Sequence, residues 1–475
     1  MKTSDIDDFI LLFEKRFIEQ IDSFELLSPS GSYREYCRMQ NYGRSVICAL
    51  NSDVKENEAF FSFTEHFRNQ NIPVPEIYVI SSDKKKYILE DLGDTTLFDF
   101  ICKIRGQEDF SERIITEYKK VLKLLPKIQI IAGKDLDYSV CYPCATFDRQ
   151  SIMWDLNYFK YYSLKLARVS FDEQALENDF NELSNYLTGA GCDYFMFRDF
   201  QSRNIMLKNG MVYFIDYQGG RHGALQYDLV SLLYDSKADI PENVRKELFD
   251  FYLKELQEYL PVNKEEFSAY FRGFAIIRIM QAMGAYGFRG WYEKKEHFLK
   301  SIPYALKNLK LLLDHLDLPI NLPELTRVLR ALTESEVLMN IGSGNSLLTV
   351  HLSSFSYKKG IPYDQSGNGG GFVFDCRALN NPGRYDEYKN LTGKDFEIQK
   401  FIEENSEIDI FMNSVKTLVG QSINIYLERG FSDLSINFGC TGGKHRSVYS
   451  AEKLAEYLKE KFPVNVVLTH NELEH

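Results

Sequence analysis

The sequence predicts a mixed α/β (α+β) protein built from a larger two-lobed domain and a smaller α/β domain. The chain has 475 residues, more than one hydrophobic core commonly supports. Long helical stretches dominate its first part, whereas strands and helices alternate in its last part. A segment with Pro, Gly and Ser, typical of a flexible joint, separates them. We therefore expect domains at 1–325 and 346–475 and a linker at 326–345.

The composition is that of an ordinary globular protein, with 44% hydrophobic and 26% charged residues. A net charge of −12 argues against a protein that coats nucleic acid and against a polybasic patch that binds membranes. No apolar run is long enough to span a membrane, and the acidic start does not resemble a signal peptide. Of eight cysteines only Cys141 and Cys144 are close in sequence, which favours reduced thiols over a zinc site. We expect a cytoplasmic protein.

The first lobe is predicted from five consecutive elements. Residues 33–50 alternate apolar and polar side chains around a turn at 41–43, which predicts a β-hairpin. A helical apolar face follows at 58–67, and two more strands are expected at 77–80 and 86–92. The order strand, strand, helix, strand, strand is typical of a kinase-like small lobe.

The second lobe is predicted to be mainly helical, over about 95–190 and 240–316. Between these stretches lies a β-rich island at 195–217, where two short apolar segments flank a run of polar residues. Catalytic residues concentrate on such loops when a rigid frame holds them. We expect the active site at this island.

Three polar residues of the island have the spacing of a phosphoryl-transfer site. Asp199 precedes Asn204 by five positions, and Asp216 follows twelve positions later, after an apolar segment. Phosphoryl transfer needs a carboxylate for the attacking hydroxyl and oxygen ligands for Mg²⁺ on the nucleotide phosphates. Taken alone, Asp199 and Asn204 could equally be turn residues. The combination favours the catalytic interpretation.

The segments FRDFQSRNIM and YFIDYQGG resemble the catalytic and metal-binding motifs of the aminoglycoside and choline phosphotransferase superfamily. The segments GSYREYCRM, NIPVPEIY and YILEDLGD resemble the small lobe and hinge of bacterial N-acetylmuramate/N-acetylglucosamine kinases. The resemblance implies a two-lobed protein-kinase-like fold and ATP-dependent phosphorylation of an amino sugar in cell-wall recycling. ATP and Mg²⁺ are the cofactors that it implies.

Carried over by this resemblance, Asp199 would be the catalytic base, Asn204 and Asp216 the magnesium ligands, and Asp228 a structural support of the catalytic loop. The resemblance also implies an adenine-binding hinge and a turn over the phosphates, formed by Glu90, Asp91, Leu92, Ser30, Gly31 and Ser32.

The sequence departs from the family pattern at two places. Phe197 replaces the usual His before the catalytic Asp, and the strand at 45–50 lacks the Lys that kinases pair with phosphate. Arg38 or Arg34 on the preceding strand could supply that charge, with Glu58 as a helix partner. If neither does, the chain is a regulatory protein with a degenerate kinase lobe, which predicts no nucleotide turnover.

The sequence says less about the residues that would bind the substrate that accepts phosphate. Arg278, Gln281 and Tyr286 are either substrate contacts or ordinary helix positions. A kinase directed at antibiotics or choline would need an acidic pocket to match a cationic substrate. These alternatives stay open at the level of sequence.

Near the C-terminus an apolar strand at 434–438 runs into the glycine-rich turn 439–445 and then a helix. Such a turn directs backbone N–H groups and the positive helix end at one point, which predicts an anion site. The spacing is not that of a Walker A loop. Cys440 and Arg446 also have the arrangement of a cysteine phosphatase loop.

The segments GCTGGKHRSVYSAEKLAEYL, LLTVHLSSFSY and FDCRALNNP resemble the C-terminal domain of the RNase adapter protein RapZ family. This resemblance implies binding of a phosphorylated amino sugar, glucosamine-6-phosphate, and of small RNAs. Residues 340–475 carry more acidic than basic side chains, which gives RNA binding little support. Asp375 and Arg377 could also form a structural ion pair. The phosphosugar-binding candidates are Ser353, Ser354, Asp375, Arg377, Cys440, Thr441, Gly442, Gly443, His445 and Arg446.

Overall fold

The computed structural model describes residues 1–27, 34–105, 110–165, 167, 169–293, 295–335, 338–339, 341, 348–362, 371–429, 431 and 433–473. The chain forms two compact units, Met1–Met339 and Asn340–His475. Within the ranges just given, none of the helices combines the length and the apolar character needed to cross a bilayer. The predicted end of the first domain at residue 325 falls inside helix Pro323–Thr333, which packs on other helices of the first unit.

The small lobe is an antiparallel sheet with strand order β1-β2-β3-β5-β4. Helix α1 covers one face, where Phe9 and Phe13 pack on Cys37 and Cys48. The predicted hairpin is formed by β2 and β3, and the predicted helix is α2. The elements are α1 (Thr3–Phe17), β1 (Ser23–Leu26), β2 (Glu35–Asn41), β3 (Arg44–Leu50), α2 (Val54–Asn69), β4 (Ile77–Ile80) and β5 (Lys86–Glu90).

The large lobe is mainly helical, as predicted, and two antiparallel strand pairs, β6 with β9 and the hairpin β7 with β8, form its β-rich island. Helix α9 is central and packs against α5, α7 and α11. The helices are α3 (Leu97–Arg105), α4 (Glu112–Pro126), α5 (Arg149–Phe159), α6 (Glu173–Thr188), α7 (Leu225–Leu233), α8 (Glu242–Gln257), α9 (Lys264–Gly287), α10 (Glu296–Leu299), α11 (Ile302–Asp314) and α12 (Pro323–Thr333). The strands are β6 (Tyr194–Met196), β7 (Ile205–Lys208), β8 (Met211–Phe214) and β9 (Arg221–Gly223).

The second unit is a parallel four-stranded sheet of order β11-β12-β10-β13. All four strands therefore end at one edge of the sheet. The elements are β10 (Thr349–Ser356), β11 (Gly371–Asp375), α13 (Phe396–Asn405), α14 (Ile408–Arg429), β12 (Asp433–Cys440), α15 (Arg446–Lys461) and β13 (Asn465–His470).

The sequence pattern of this unit also predicts one helix from about 397 to 428, and this expectation is wrong. The single helix predicted from about 397 to 428 is two helices, α13 and α14. The break lies at Ser406, whose backbone is extended (φ −138°, ψ 154°). The Ser406 hydroxyl accepts the Asn380 N–H at 3.1 Å, so a contact with a distant segment compensates for the interrupted helix.

Candidate functional site

The structure brings together the three residues predicted to transfer phosphate. The loop between β6 and β7 carries Asp199 and Asn204, and Asp216 follows β8. Asn204 Nδ2 donates to the backbone carbonyl of Asp199 at 2.8 Å and to Asp216 Oδ2 at 3.2 Å. The Asp199 side chain is 46% exposed, so a bound acceptor can reach its carboxylate.

The side chains of Asn204 and Asp216 fit a magnesium ion. Among the described residues, both hydrogen bonds of the Asn204 side chain use Nδ2, which leaves the amide oxygen to bind metal. Burial raises the pKa of the Asp216 carboxyl, a cost that a bound cation would offset. Amide and carboxylate oxygens are the hard ligands that Mg²⁺ prefers.

Two residues near this site have backbone conformations that side-chain-bearing residues rarely adopt. Arg198 has φ 73° and Asp216 has φ 62°, both in the left-handed region. Such conformations cost free energy and persist where the surrounding structure enforces them. Here they position the residue before Asp199 and Asp216, the carboxylate predicted to bind magnesium.

Helix α7 supports the loop that carries Asp199, through the side chain of Asp228. Asp228 accepts the backbone N–H groups of Phe197 at 2.8 Å and Arg198 at 3.1 Å, the supporting role predicted for it. Burial raises the pKa of Asp228 to about 7. Beyond the helix, Asp235 accepts both the Ser202 backbone N–H at 3.1 Å and the Ser202 hydroxyl at 2.5 Å.

The replacement of the family's usual His by Phe197 has a packing explanation. The Phe197 ring lies within aromatic contact of Phe67, Phe200 and Phe214. Apolar burial, supplemented by the Asp228 hydrogen bond to its backbone, therefore holds this position without a polar ring.

The predicted pairing of Arg38 with Glu58 is wrong. Arg38 donates to Asp91 at 2.7 Å and to Asp94 at 2.6 Å. Glu58 accepts from Lys84 at 2.5 Å, and 43% of its side chain is exposed. Each side chain has a nearer partner of opposite charge, so neither contributes to a pair in the cleft between the lobes.

The buried pair is formed instead by Arg34, the second candidate, and Glu56 of α2, with 3.2 Å between Nη2 and Oε2. Arg34 is only 5% exposed and directly precedes β2. Gln218 lies 3.5 Å from Glu56 and donates to Asp216 at 2.6 Å. A chain of polar contacts through Glu56 and Gln218 therefore connects Arg34 with Asp216. Sequence reasoning missed Glu56, although helical spacing could have found it, because Glu56 shares the buried face of Phe60 and Phe63 and Glu58 does not.

The predicted hinge follows β5 and is tied to the large lobe. Lys208 of β7 donates to Glu90 Oε1 at 2.8 Å and to the backbone carbonyl of Asp91 at 2.9 Å. The Asp91 carboxylate also accepts from the Ser45 hydroxyl at 2.5 Å. Leu92 is buried. The predicted phosphate turn, Ser30, Gly31 and Ser32, lies outside the described residues.

In the second unit the predicted phosphate loop lies between β12 and α15. Cys440 is 2% exposed, and its Sγ accepts the Gly443 N–H at 3.1 Å and lies 3.2 Å from the Ser447 hydroxyl. Burial acts to raise the pKa of the thiol, but the hydrogen bonds from Ser447 and Gly443 outweigh it and lower the pKa. The burial of the thiol disfavours attack on a phosphate, whereas its lowered pKa favours the nucleophilic thiolate, so both binding and phosphatase chemistry stay open for this loop.

Arg446 and His445 bind the neighbouring segment of protein. Arg446 Nη1 donates to the carbonyls of Arg377 at 3.0 Å and Leu379 at 2.9 Å. His445 Nε2 lies 3.1 Å from the carbonyl of Tyr388. These side chains hold the segment after β11 against the loop, whereas Thr441 and Gly442 are exposed.

The remaining phosphosugar candidates lie near the same edge of the sheet. Ser353 donates to Asn437 at 2.6 Å, and the buried Ser354 hydroxyl lies 2.9 Å from His470 Nδ1. Arg377 and Asp375 form a half-exposed ion pair at 2.7 Å, which is one of the two roles considered for them. The N-terminal N–H groups of α15 have no side-chain cap, which suits an anion at this edge.

The first unit has two lobes, and the loop between β6 and β7 brings Asp199 and Asn204 together with Asp216. Residues 40–262 match the model of the phosphotransferase enzyme family. Residues 348–474 match the model of the RapZ C-terminal domain. These are the two families that the sequence motifs resemble, and each match covers less than half of the chain.

Curated relatives share only part of their length with this chain. A nucleotide-binding protein of Endomicrobium trichonymphae is 38% identical over 131 residues, 28% of this chain and 44% of the relative. One from Thermotoga neapolitana is 37% identical over 137 residues, 29% of this chain and 46% of the relative. The chain therefore spans less than half of these relatives.

Similar solved structures include two kinases. The ethanolamine kinase of Plasmodium vivax superposes with a TM-score of 0.45 at 16% identity, covering 61% of this chain and 82% of that one. The choline kinase of Cryptosporidium parvum gives 0.47 at 14% identity, covering 69% of this chain and 100% of that one.

Proposed function

We propose that the first unit is an ATP-dependent kinase that phosphorylates an amino sugar of the N-acetylmuramate or N-acetylglucosamine type, released during cell-wall recycling. The observation that carries the proposal is the cluster of Asp199, Asn204 and Asp216 on a loop braced by Asp228. The similarity of the small-lobe segments to the cell-wall sugar kinases supports the choice of acceptor.

In the proposed reaction a sugar hydroxyl attacks the γ-phosphorus of ATP while the bond from that phosphorus to the bridging oxygen of ADP breaks. Asp199 orients the hydroxyl and accepts its proton. Asn204 and Asp216 would hold Mg²⁺, which would neutralise charge on the phosphates. Arg34, fixed by Glu56, supplies the positive charge that a strand lysine supplies in other kinases.

The test is ATP-to-ADP turnover with magnesium against N-acetylmuramate, N-acetylglucosamine, glucosamine, choline and kanamycin. We expect turnover with the N-acetyl sugars. Asp199→Asn should lower kcat by about 10²- to 10⁴-fold, because the acceptor proton loses its base. Asp193→Asn, an exposed position just before β6, should behave like wild type. Absence of turnover across the panel would favour the alternative of a sensor with a degenerate kinase lobe.

We further propose that the second unit binds a phosphorylated amino sugar, glucosamine-6-phosphate, at the loop between β12 and α15. The exposed Thr441 and Gly442 and the uncapped start of α15 support an anion at this place. The buried Cys440 supports binding without hydrolysis.

Calorimetric titration distinguishes the possible ligands of this loop. We expect binding of glucosamine-6-phosphate, weaker binding of inorganic phosphate and none of glucosamine. Thr441→Val should weaken binding, because the exposed hydroxyl can no longer donate to phosphate, whereas Thr417→Val on the exposed face of α14 should not. Binding of a short RNA with no response to the sugar phosphate would favour the RNA-adapter alternative.

A further inference from the structure

The large lobe contains a cavity of about 270 Å³ between helices α8, α9 and α11. Its lining residues do not include Asp199, Asn204 or Asp216. Phe271, which lines the cavity, lies two helical turns before Arg278 on α9, about 10 Å along the helix axis. Arg278 is the residue of α9 whose side chain approaches Asp199, at 3.9 Å. The cavity is therefore separate from the catalytic cluster.

One lining residue is a buried arginine that has only neutral hydrogen-bond partners. Arg245 of α8 is 6% exposed. Its Nε donates to the Leu233 carbonyl at 3.0 Å, and its Nη2 donates to the Ile240 carbonyl at 3.2 Å and to Asn308 Oδ1 at 2.7 Å. Within the described part of the chain, no carboxylate lies within ion-pair distance of this guanidinium. The carbonyl at the end of α7 offsets part of the cost of burying the charge, and an anion in the cavity would offset more.

The other charged side chains of the cavity are mainly positive. Lys246 and His315 line it, and neither side chain has an ion pair among the residues that the structure describes. Arg272 also lines it and donates to the Asp317 carbonyl at 2.8 Å, while the Asp317 carboxylate, 3.7 Å away, is 92% exposed. Glu242 is the single carboxylate in the described lining. This balance of charge favours a ligand that carries a negative charge.

Aromatic rings form the apolar part of the same cavity. The rings of Phe249 and Phe271 lie 4.7 Å apart, and those of Tyr234 and Phe271 lie 6.0 Å apart. The Arg245 guanidinium lies 4.2 Å from the centre of the Tyr234 ring, so the buried charge and the aromatic surface adjoin. A ligand ring can pack on these rings while its anionic group lies beside the guanidinium. The volume suits a ligand of one ring and a short chain.

We propose that this cavity is a binding site for a small aromatic anion, with one ring and a carboxylate on a short chain. The carboxylate lies at Arg245 and Lys246, where it supplies the missing counter-charge. The ring packs on Phe249 and Phe271, which favours this ligand over a bare inorganic anion because apolar burial contributes to its affinity. The inference does not depend on the functions proposed for the catalytic cluster or for the second unit.

Calorimetric titration of the full chain with three probes tests the ligand class. Phenylpropionate carries the ring and the carboxylate, phenylpropanol lacks the charge, and propionate lacks the ring. We expect the affinity for phenylpropionate to exceed that for either control by about tenfold or more. Equal affinity for phenylpropanol or for propionate overturns the inference. Saturating ATP, magnesium and N-acetylglucosamine should leave the affinity for phenylpropionate unchanged, and loss of binding under these conditions would place the probe in the catalytic site and overturn it too.

Variants test the position of the site. Arg245→Gln should weaken phenylpropionate binding by about tenfold to a hundredfold, the usual effect of losing a hydrogen bond to a charged group. Lys246→Gln should weaken it by about two- to fivefold, as expected for an exposed ion pair. Lys254→Gln, at an exposed lysine of α8 outside the cavity, should bind like wild type. Lys246→Gln changes only an exposed side chain, so it tests the site even if Arg245→Gln does not fold, and wild-type affinity in Lys246→Gln or in a folded Arg245→Gln protein overturns the assignment.

Discussion

Arg34 is the residue on which the proposed chemistry of the small lobe depends most. It is buried, pairs with Glu56, and is linked through Gln218 to Asp216. It directly precedes β2, the strand that pairs with β3, where the family's lysine is missing. The proposed kinase function therefore assigns to Arg34 the positive charge that this lysine would supply.

Replacing Arg34 tests that assignment. Arg34→Met should lower kcat/KM for ATP by roughly tenfold to a hundredfold, because a charge-assisted contact with the phosphates is lost. Arg34→Lys should retain part of the activity. Arg44→Met, which removes an exposed arginine from β3, serves as the control and should change kcat/KM little. Steady-state kinetics at varied ATP would contradict the assignment if Arg34→Met kept the wild-type value.

Asp228 makes stability depend on pH. Its pKa of about 7 in the folded protein exceeds the unfolded value of about 3.9, so the folded state binds more protons between these limits. The free energy of unfolding should therefore fall as pH rises from about 4 to about 7, by at most about 1.4 kcal/mol per pH unit from this group. Asp228→Asn should remove this contribution.

Urea denaturation at several pH values measures the effect as the difference in unfolding free energy between wild type and Asp228→Asn. As pH rises, the free energy of unfolding of wild type should fall relative to that of Asp228→Asn. Asp317→Asn, at a carboxylate that is 92% exposed, provides the control and should give a difference that does not vary with pH. A constant difference for Asp228→Asn as well would show that the carboxyl is ionised throughout.

At the scale of elements, the loop between β12 and α15 depends on one glycine. Gly443 has φ 70°, and a Cβ there would lie 2.9 Å from the backbone N of Ser356. Gly442 has open space around it. The two adjacent glycines therefore differ in what they contribute to the loop.

We expect Gly443→Ala to destabilise the second unit by about 1–3 kcal/mol, through backbone strain and the clash with β10, and to weaken phosphosugar binding. Gly442→Ala should stay within about 0.5 kcal/mol of wild type. Calorimetric melting of the full chain, with titration of glucosamine-6-phosphate, checks both. Equal stability and equal affinity for glucosamine-6-phosphate in the two variants would contradict the different roles that the loop geometry gives to Gly442 and Gly443.

Elements were predictable where local patterns are strong. The hairpin of β2 and β3, the helix α2 and the strand before Cys440 follow from alternation, helical spacing and turn residues. The break between α13 and α14 was not predictable, because it depends on the contact of Ser406 with Asn380 rather than on local propensity. Patterns among neighbouring residues do not predict tertiary contacts of this kind.

At the scale of the whole molecule, the two proposed functions, a sugar kinase and a phosphosugar-binding domain on one chain, suggest feedback. We expect glucosamine-6-phosphate to change the KM for ATP or sugar, and ATP or sugar to change the affinity for glucosamine-6-phosphate. Thermodynamic linkage requires that each ligand change the binding affinity for the other by the same factor, commonly about 5- to 150-fold. Titrations with and without each ligand measure them, with Gly443→Ala as the variant expected to lose the effect. If neither ligand changed the affinity for the other, the two domains would be independent although they share one chain.

The sequence by itself predicted two domains, which the two compact units confirm, and it placed Asp199, Asn204 and Asp216 at spacings that brought them together in the fold. Only the tertiary structure decided that Arg34 pairs with Glu56 while Arg38 pairs with Asp91, since those choices depend on which side chains meet across the lobe. It also placed Arg278 beside Asp199. Residues far apart in sequence form such contacts through packing, which local patterns do not record.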